Sequence, residues 1–430
     1  MNSLRILLSA GAAFAALSAG EALACSVPQP APTPSQNTPC TKPPGAGAAT
    51  INNEQINLDS AFSEFKLKVQ SATNASASAV TGGNIASVGV SNGPTNVTSN
   101  QEMMGATTAK ARSEVATING ASVTTAYAVS NGLAAGAVRG NVTANARQVT
   151  GTNAPTTANA FGSGMLNGAN TLGAVGATAS ANVANLGANR GDVTGNLTQE
   201  SNSNVSANSK GEFCCNNGSA QSGAVASANN ATYTGTTTTM RAYATQRSNG
   251  EAVTAVSDLW TGGNANVVVG GSTANGNAMT VVNEWGWQDM RATQSNQSNI
   301  MSQSWVTVNN ANAAASNAFG VGNTAVISGV GSDMRLNFNQ SNNGRVQAWS
   351  ALSANGGVGT GVVTATAIGN ASSAFLCTQC GDGAMTGGGV QVNNARVEAV
   401  GTLIAPNATN VSGAASAFGN VATYQVGGGH

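Results

Sequence analysis

Gln340-Ser-Asn-Asn-Gly-Arg-Val346-Gln-Ala348 returns as Gln391-Val-Asn-Asn-Ala-Arg-Val397-Glu-Ala399, and the spacing between such copies decides the fold. Earlier copies are Gln199-Glu-Ser-Asn-Ser-Asn-Val205-Ser-Ala207 and Gln294-Ser-Asn-Gln-Ser-Asn-Ile300-Met-Ser302. A longer one runs Gln246-Arg-Ser-Asn-Gly-Glu-Ala-Val253-Thr-Ala255. The glutamines at 199, 246, 294, 340 and 391 are 47, 48, 46 and 51 residues apart. The same interval backwards reaches Gln148, Gln101 and Gln55, where the following residues no longer match. A fixed period of this size marks a repeat architecture in which each unit packs on its neighbours.

Between the glutamines the texture alternates with period two. Ala75-Ser-Ala77-Ser-Ala79 and Val363-Thr-Ala365-Thr-Ala367 are examples, and this period belongs to strands rather than helices. A second landmark follows each late glutamine, at Phe319-Gly-Val-Gly-Asn323, Ile368-Gly-Asn370 and Phe418-Gly-Asn420. Read as Gly-Asn corners, these split the unit into two coils of about 23 residues. The expected fold is therefore all-β, an elongated β-solenoid of about eight ~47-residue units with two coils each. At ~4.8 Å per stacked strand that rod would be on the order of 75 Å long, with the glutamines stacked on one corner.

Composition agrees. Charged residues are 7% of the chain, against about 25% in an ordinary globular domain. Gly contributes 54 of 430 residues, Asn is about as frequent, and the formal net charge is 0. Disorder goes with high net charge and abundant proline, whereas here seven of the ten prolines lie between Pro28 and Pro44. An Ala/Ser interior buries little apolar area, so stacked Gln and Asn side chains are expected to supply the missing stabilisation. That makes the recurring glutamines structural first and a ligand-binding row second.

Residues 1–24 read as a secretory signal, with Arg5, an apolar run from Ile6 to Leu17, and Ala22-Leu23-Ala24 at the cleavage site. Plain secretion is weighed above lipidation of Cys25, because lipoprotein signals usually carry Leu where Ala22 stands. Residues 25–50 form a Pro-rich linker, 51–70 an N-terminal cap that is either a short helix or a first strand, and 71–430 the solenoid. Six cysteines fit an oxidising compartment: Cys25, Cys40, Cys214, Cys215, Cys377 and Cys380. Local structural disulfides are the expectation. Zinc is disfavoured, since the lone histidine is His430.

No catalytic constellation stands out. Glu284 and Asp289 bracket Trp285-Gly-Trp287 but read as solvated strand residues, and a catalytic triad needs an internal histidine. The chain is read as a non-enzyme without metal or cofactor. A near-neutral pI and the lack of a basic run argue against nucleic acid. All five tryptophans fall between Trp260 and Trp349. They read either as a stacking platform for sugar rings, with Trp285 and Trp287 on one strand face, or as filling for a wider interior. The interior reading is the weightier of the two.

A secretory signal, an Asn/Gly/Ala body and Gln-x-x-Asn repeats resemble the curli-type class of exported surface proteins. With a cysteine-bearing Pro-rich start and ~47-residue units, the chain looks most like the holdfast anchor (HfaD) family of stalked alphaproteobacteria. Curlin repeats have about half this period, and only their Gln-x-x-Asn portion recurs here. The resemblance implies a cell-surface protein that anchors an adhesive polysaccharide, the holdfast, to the outer membrane. It further implies export through a curli-type outer-membrane pore and partnership with a curlin-like anchor subunit. The alternatives are a self-assembling curli-like fibre subunit and a generic β-solenoid adhesin.

Overall fold

A computed structural model describes residues 48–214, 218–378 and 383–427. The signal segment, most of the linker, Cys25, Cys40, Cys215 and Cys380 lie outside the described residues. All elements among the described residues are strands, and every pairing is parallel. Within residues 51–70 the chain is strand rather than helix apart from the break at 58–60, and both strands belong to the first coil, in register with the second.

Among the described residues eight short strands form one sheet: Ala49–Asn57, Thr95–Met103, Val142–Thr150, Val193–Ser201, Met240–Ser248, Gln288–Asn296, Met334–Asn342 and Met385–Asn393. Each opens a coil, numbered one to eight here. From each short strand the chain runs through a longer, bent strand path, such as Ala252–Glu284 in coil five, and returns to the next short strand. Gln246 pairs with Gln199 on one side and Gln294 on the other, so each repeat climbs the stack by one strand. The ~47-residue unit is therefore one coil, not two. Eight strands at ~4.8 Å spacing make a stack of only about 35 Å, half the length expected from the sequence. The expectation failed because Asn323, Asn370 and Asn420 are not corners. They lie inside the long strands, with Asn323 and Asn370 fully buried.

The true corner before each short strand has a backbone signature. Asn92, Arg139, Arg190, Thr237, Trp285 and Gly331 occupy the left-handed region in six successive coils, with φ between 54° and 72°. The next residue is crowded by the coil below. A Cβ on Gly140 would lie 1.8 Å from the Gly93 carbonyl oxygen, and one on Gly191 2.0 Å from that of Gly140. Glycine at these two positions lets the coils stack at strand distance.

Inside each coil the long path folds back, giving a two-lobed cross-section. One lobe holds a core of small residues such as Ala207, Val253, Ala255, Leu259, Ala274 and Ile300. The other is richer in bulk, with Leu186, Tyr233, Met240, Met279 and Met290. Two amide ladders close the neck between them. The glutamines from Gln55 to Gln391 are joined by seven Nε2-to-Oε1 bonds of 2.7–2.8 Å. The facing asparagines 84, 131, 182, 229, 277, 323, 370 and 420 are joined by seven bonds of 2.7–2.9 Å. The glutamines sit in the interior, not on a corner.

The second N–H of each amide stitches the neck shut. Gln246 donates to the carbonyl of Ala278, and Asn277 donates to that of Ser295. The pattern repeats: each Gln reaches the residue after a ladder Asn, and each Asn the residue after a ladder Gln. Glutamine amides donate toward the N-terminal end of the stack, whereas asparagine amides donate toward the C-terminal end. The two rows of dipoles thus oppose each other, which avoids a net field along an interior almost without charge.

Candidate functional site: a stair of exposed tryptophans

Parallel pairing aligns the segments that follow the short strands in coils five, six and seven. Val253, Ile300 and Val346 share one register position, inward and buried. Counted from it, Trp260 stands seven residues on, Trp305 five and Trp349 three. Odd offsets all point outward, so the three indoles descend diagonally over one sheet face. A step of one strand and two residues separates successive Cα atoms by about 8 Å. Trp260, Trp305 and Trp349 are 38%, 39% and 36% exposed, which excludes the interior-filling reading for them.

The neighbours keep the rings accessible. Trp260 lies between Glu212 and Thr307, Trp305 between Asp258 and Ala351, and Trp349 between Gln303 and Val400. A Cβ on Gly262 would meet the Trp260 indole at 2.9 Å, so this glycine makes room for the ring. Lower on the same face cations lie over two phenylalanine rings, Lys110 over Phe62 at 5.5 Å, although Phe62 stays 58% exposed, and Arg112 over Phe161 at 4.6 Å. Among the described residues no cation covers Trp260, Trp305 or Trp349. Burial pushes the Asp258 carboxyl above its ordinary value, and Lys210 partly offsets this. The face can stack on pyranose rings, and the Glu212 and Asp258 carboxylates can accept hydrogen bonds donated by sugar hydroxyls.

Trp285 and Trp287 are placed differently from the expectation. They lie in the turn between Ala252–Glu284 and Gln288–Asn296, so they share no strand face. Trp285 is 44% exposed in the left-handed corner conformation, which is strained for a bulky side chain, and Trp287 is half-buried under Arg241. Glu284 is exposed at the end of its strand, whereas Asp289 is buried and bound by Tyr243 and Arg291. Cys214 ends the strand Val205–Cys214 in coil four and Cys377 ends Gly357–Cys377 in coil seven. Three strand spacings, about 14 Å, put these two beyond mutual disulfide reach. The five glutamines of the repeat phrase all belong to the neck ladder.

Two features are misplaced or missed by the sequence reading. Stacked asparagines are expected, but Asn323, Asn370 and Asn420 read as corners rather than as members of a ladder facing the glutamines. The tryptophan stair was hidden because its members fall at different phases of their repeats.

The sequence model of one family, described as Holdfast attachment protein D, matches residues 69–345, 277 of the 430 positions. The chain belongs to the holdfast attachment protein D family. Holdfast attachment is a cell-surface adhesion role. The matched span covers most of coils one to six and reaches the start of coil seven, including Trp260 and Trp305 of the stair. No curated protein and no solved structure matches the chain.

Proposed function

We propose that this holdfast attachment protein D family member binds the adhesive polysaccharide itself, through the stair of Trp260, Trp305 and Trp349, and anchors it to the outer membrane. The observation that carries this reading is three exposed, uncovered indoles aligned across neighbouring strands of a rigid stack. Binding proceeds without cleavage, so purified polysaccharide stays intact. Secretion directed by residues 1–24, passage through a curli-type outer-membrane pore and docking of a curlin-like subunit belong to the same proposal, on the strength of the resemblance.

Replacing all three tryptophans by Ala tests it. Each stacked ring contributes about 1 kcal/mol beyond its area, so the triple variant should bind the polysaccharide about a hundredfold more weakly. Because the rings project outward, circular dichroism and the unfolding midpoint should be nearly unchanged. Full affinity in the triple variant, or loss of its fold, would remove the stair as the attachment site.

End-to-end self-assembly is a second reading, favoured by the polarity of the ladders. Among the described residues coil one leaves an N–H of Gln55 and the Oδ1 of Asn84 open, while coil eight leaves the Oε1 of Gln391 and an N–H of Asn420. Each open donor at one end faces an open acceptor at the other when two copies stack head to tail. This reading expects the sedimentation coefficient to grow with concentration. A constant value over a hundredfold range in concentration would exclude it.

A further inference from the structure

Most of this protein is nearly uncharged, yet three arginines meet on the outward face of the short-strand sheet. Arg241, Asp289 and Arg335 hold one register position on three successive strands, and Tyr243 and Arg291 hold the next outward position on two of them. Asp289 is only 3% exposed although its position faces outward. Its Oδ2 accepts the Tyr243 hydroxyl at 3.0 Å and the Arg291 Nη2 at 3.1 Å. Its Oδ1 is buried and has no donor among the described residues. Arg291 lies over the Tyr243 ring at 4.8 Å, and Arg241 lies over Trp287 at 5.6 Å. Arg241 and Arg335 are exposed, and neither makes an ion pair among the described residues.

A buried carboxylate oxygen without a donor is rare in a folded protein and asks for a hydroxyl, a water or a cation. Two flanking guanidiniums disfavour a cation. They also supply planar donor forks that match a carboxylate. A bare phosphate or sulfate satisfies the arginines but meets Asp289 as a like charge. The ligand that answers all three side chains carries an anionic group and neighbouring hydroxyls on one compact ring. We propose that this face is a subsite for an acidic sugar, a uronic-acid unit. Arg241 or Arg335 takes its carboxylate with Trp287 at the edge, and Asp289 Oδ1, which a shift of the neighbouring side chains must first uncover, accepts its hydroxyl hydrogens. This deepens the polysaccharide reading and rests on it, while using residues separate from the tryptophan stair.

The test uses the full chain with three probes: a defined oligouronate, a neutral oligoglucan and poly-glutamate. Wild type should bind the oligouronate in preference to poly-glutamate, with an affinity that falls as salt rises. The double variant R241Q/R335Q should lose at least tenfold in oligouronate affinity with an unchanged circular dichroism spectrum, and should keep its affinity for the neutral probe. The charge-neutral D289N should erase the preference for oligouronate over poly-glutamate. The proposal is overturned if wild type does not bind the oligouronate, if R241Q/R335Q binds it normally, or if poly-glutamate binds equally well. Should D289N lower the unfolding midpoint while leaving the preference intact, Asp289 is a structural partner of Tyr243 and Arg291, and the hydroxyl-accepting role is wrong. Failure of the attachment reading looks different, since the neutral probe then also fails to bind or is indifferent to loss of the tryptophan stair.

Discussion

Removing residues 148–198 should shorten the solenoid by one coil and leave it folded, whereas removing only 148–172 should destroy it. The full deletion joins Arg147 to Gln199, which stand at adjacent positions of the short strands in coils three and four. The new junction continues a short strand in phase, and coil two then meets coil four with glutamine above glutamine. Each coil touches only its neighbours, so the loss is confined to one layer of both cores and one rung of each ladder. Gln101 and Asn131 would find Gln199 and Asn229 as their new partners. The half deletion leaves too little chain to travel round both lobes, so the strands above fall out of phase and the amides of the neck lose their partners. Circular dichroism together with the unfolding midpoint separates the cases. The full deletion should keep a β spectrum and unfold cooperatively, and the half deletion should do neither. If the two behave alike, the ~47-residue unit is not the structural module.

The largest single-residue effect is expected at Gln246. Changing it to Leu leaves the Gln199 Oε1 and the Ala278 carbonyl without a donor and an N–H of Gln294 without its acceptor. Gln246, Gln199 and Gln294 are at most 1% exposed, so water has no ready access to the orphaned groups. Each buried unsatisfied group costs about 1–3 kcal/mol. The three together should cost about 3–9 kcal/mol, a large share of the ~5–15 kcal/mol that holds a typical domain. The same change at Gln55 is the control. That residue is half-buried in the first coil, where solvent can replace the lost bond, and about 1 kcal/mol or less is expected there. Urea unfolding midpoints measure both. Equal shifts at the two positions would show that the interior ladder does not hold the neck closed.

These outcomes separate two kinds of information in the chain. The spacing of Gln199, Gln246, Gln294, Gln340 and Gln391 and the alternation of small residues already carried the solenoid class. Both are local or translational properties, and a strand's side-chain period and a repeat's length survive without coordinates. Seven Gln-to-Gln hydrogen bonds fall where that period said equivalent residues would meet. The holdfast family too was legible, because layout and composition are features of the linear chain.

Tertiary structure alone decided how many times the chain turns per repeat. A period of about 47 residues states that equivalent residues stack, but not whether the path between them circles once or twice. Only the pairing register shows one circuit, with Asn277 or Asn323 inside a long strand rather than at a corner. Closure of that single large circuit needs a neck, and the neck converts the asparagines from apparent turn residues into a buried ladder. Which way a tryptophan points was undecided for the same reason, since alternation names two faces and only the folded path says which one meets water. Trp260, Trp305 and Trp349 stand 45 and 44 residues apart, out of step with the repeat by two each time. Their diagonal, like the row of Arg241, Asp289 and Arg335, exists only because residues a full coil apart in sequence are brought to strand distance by the stack.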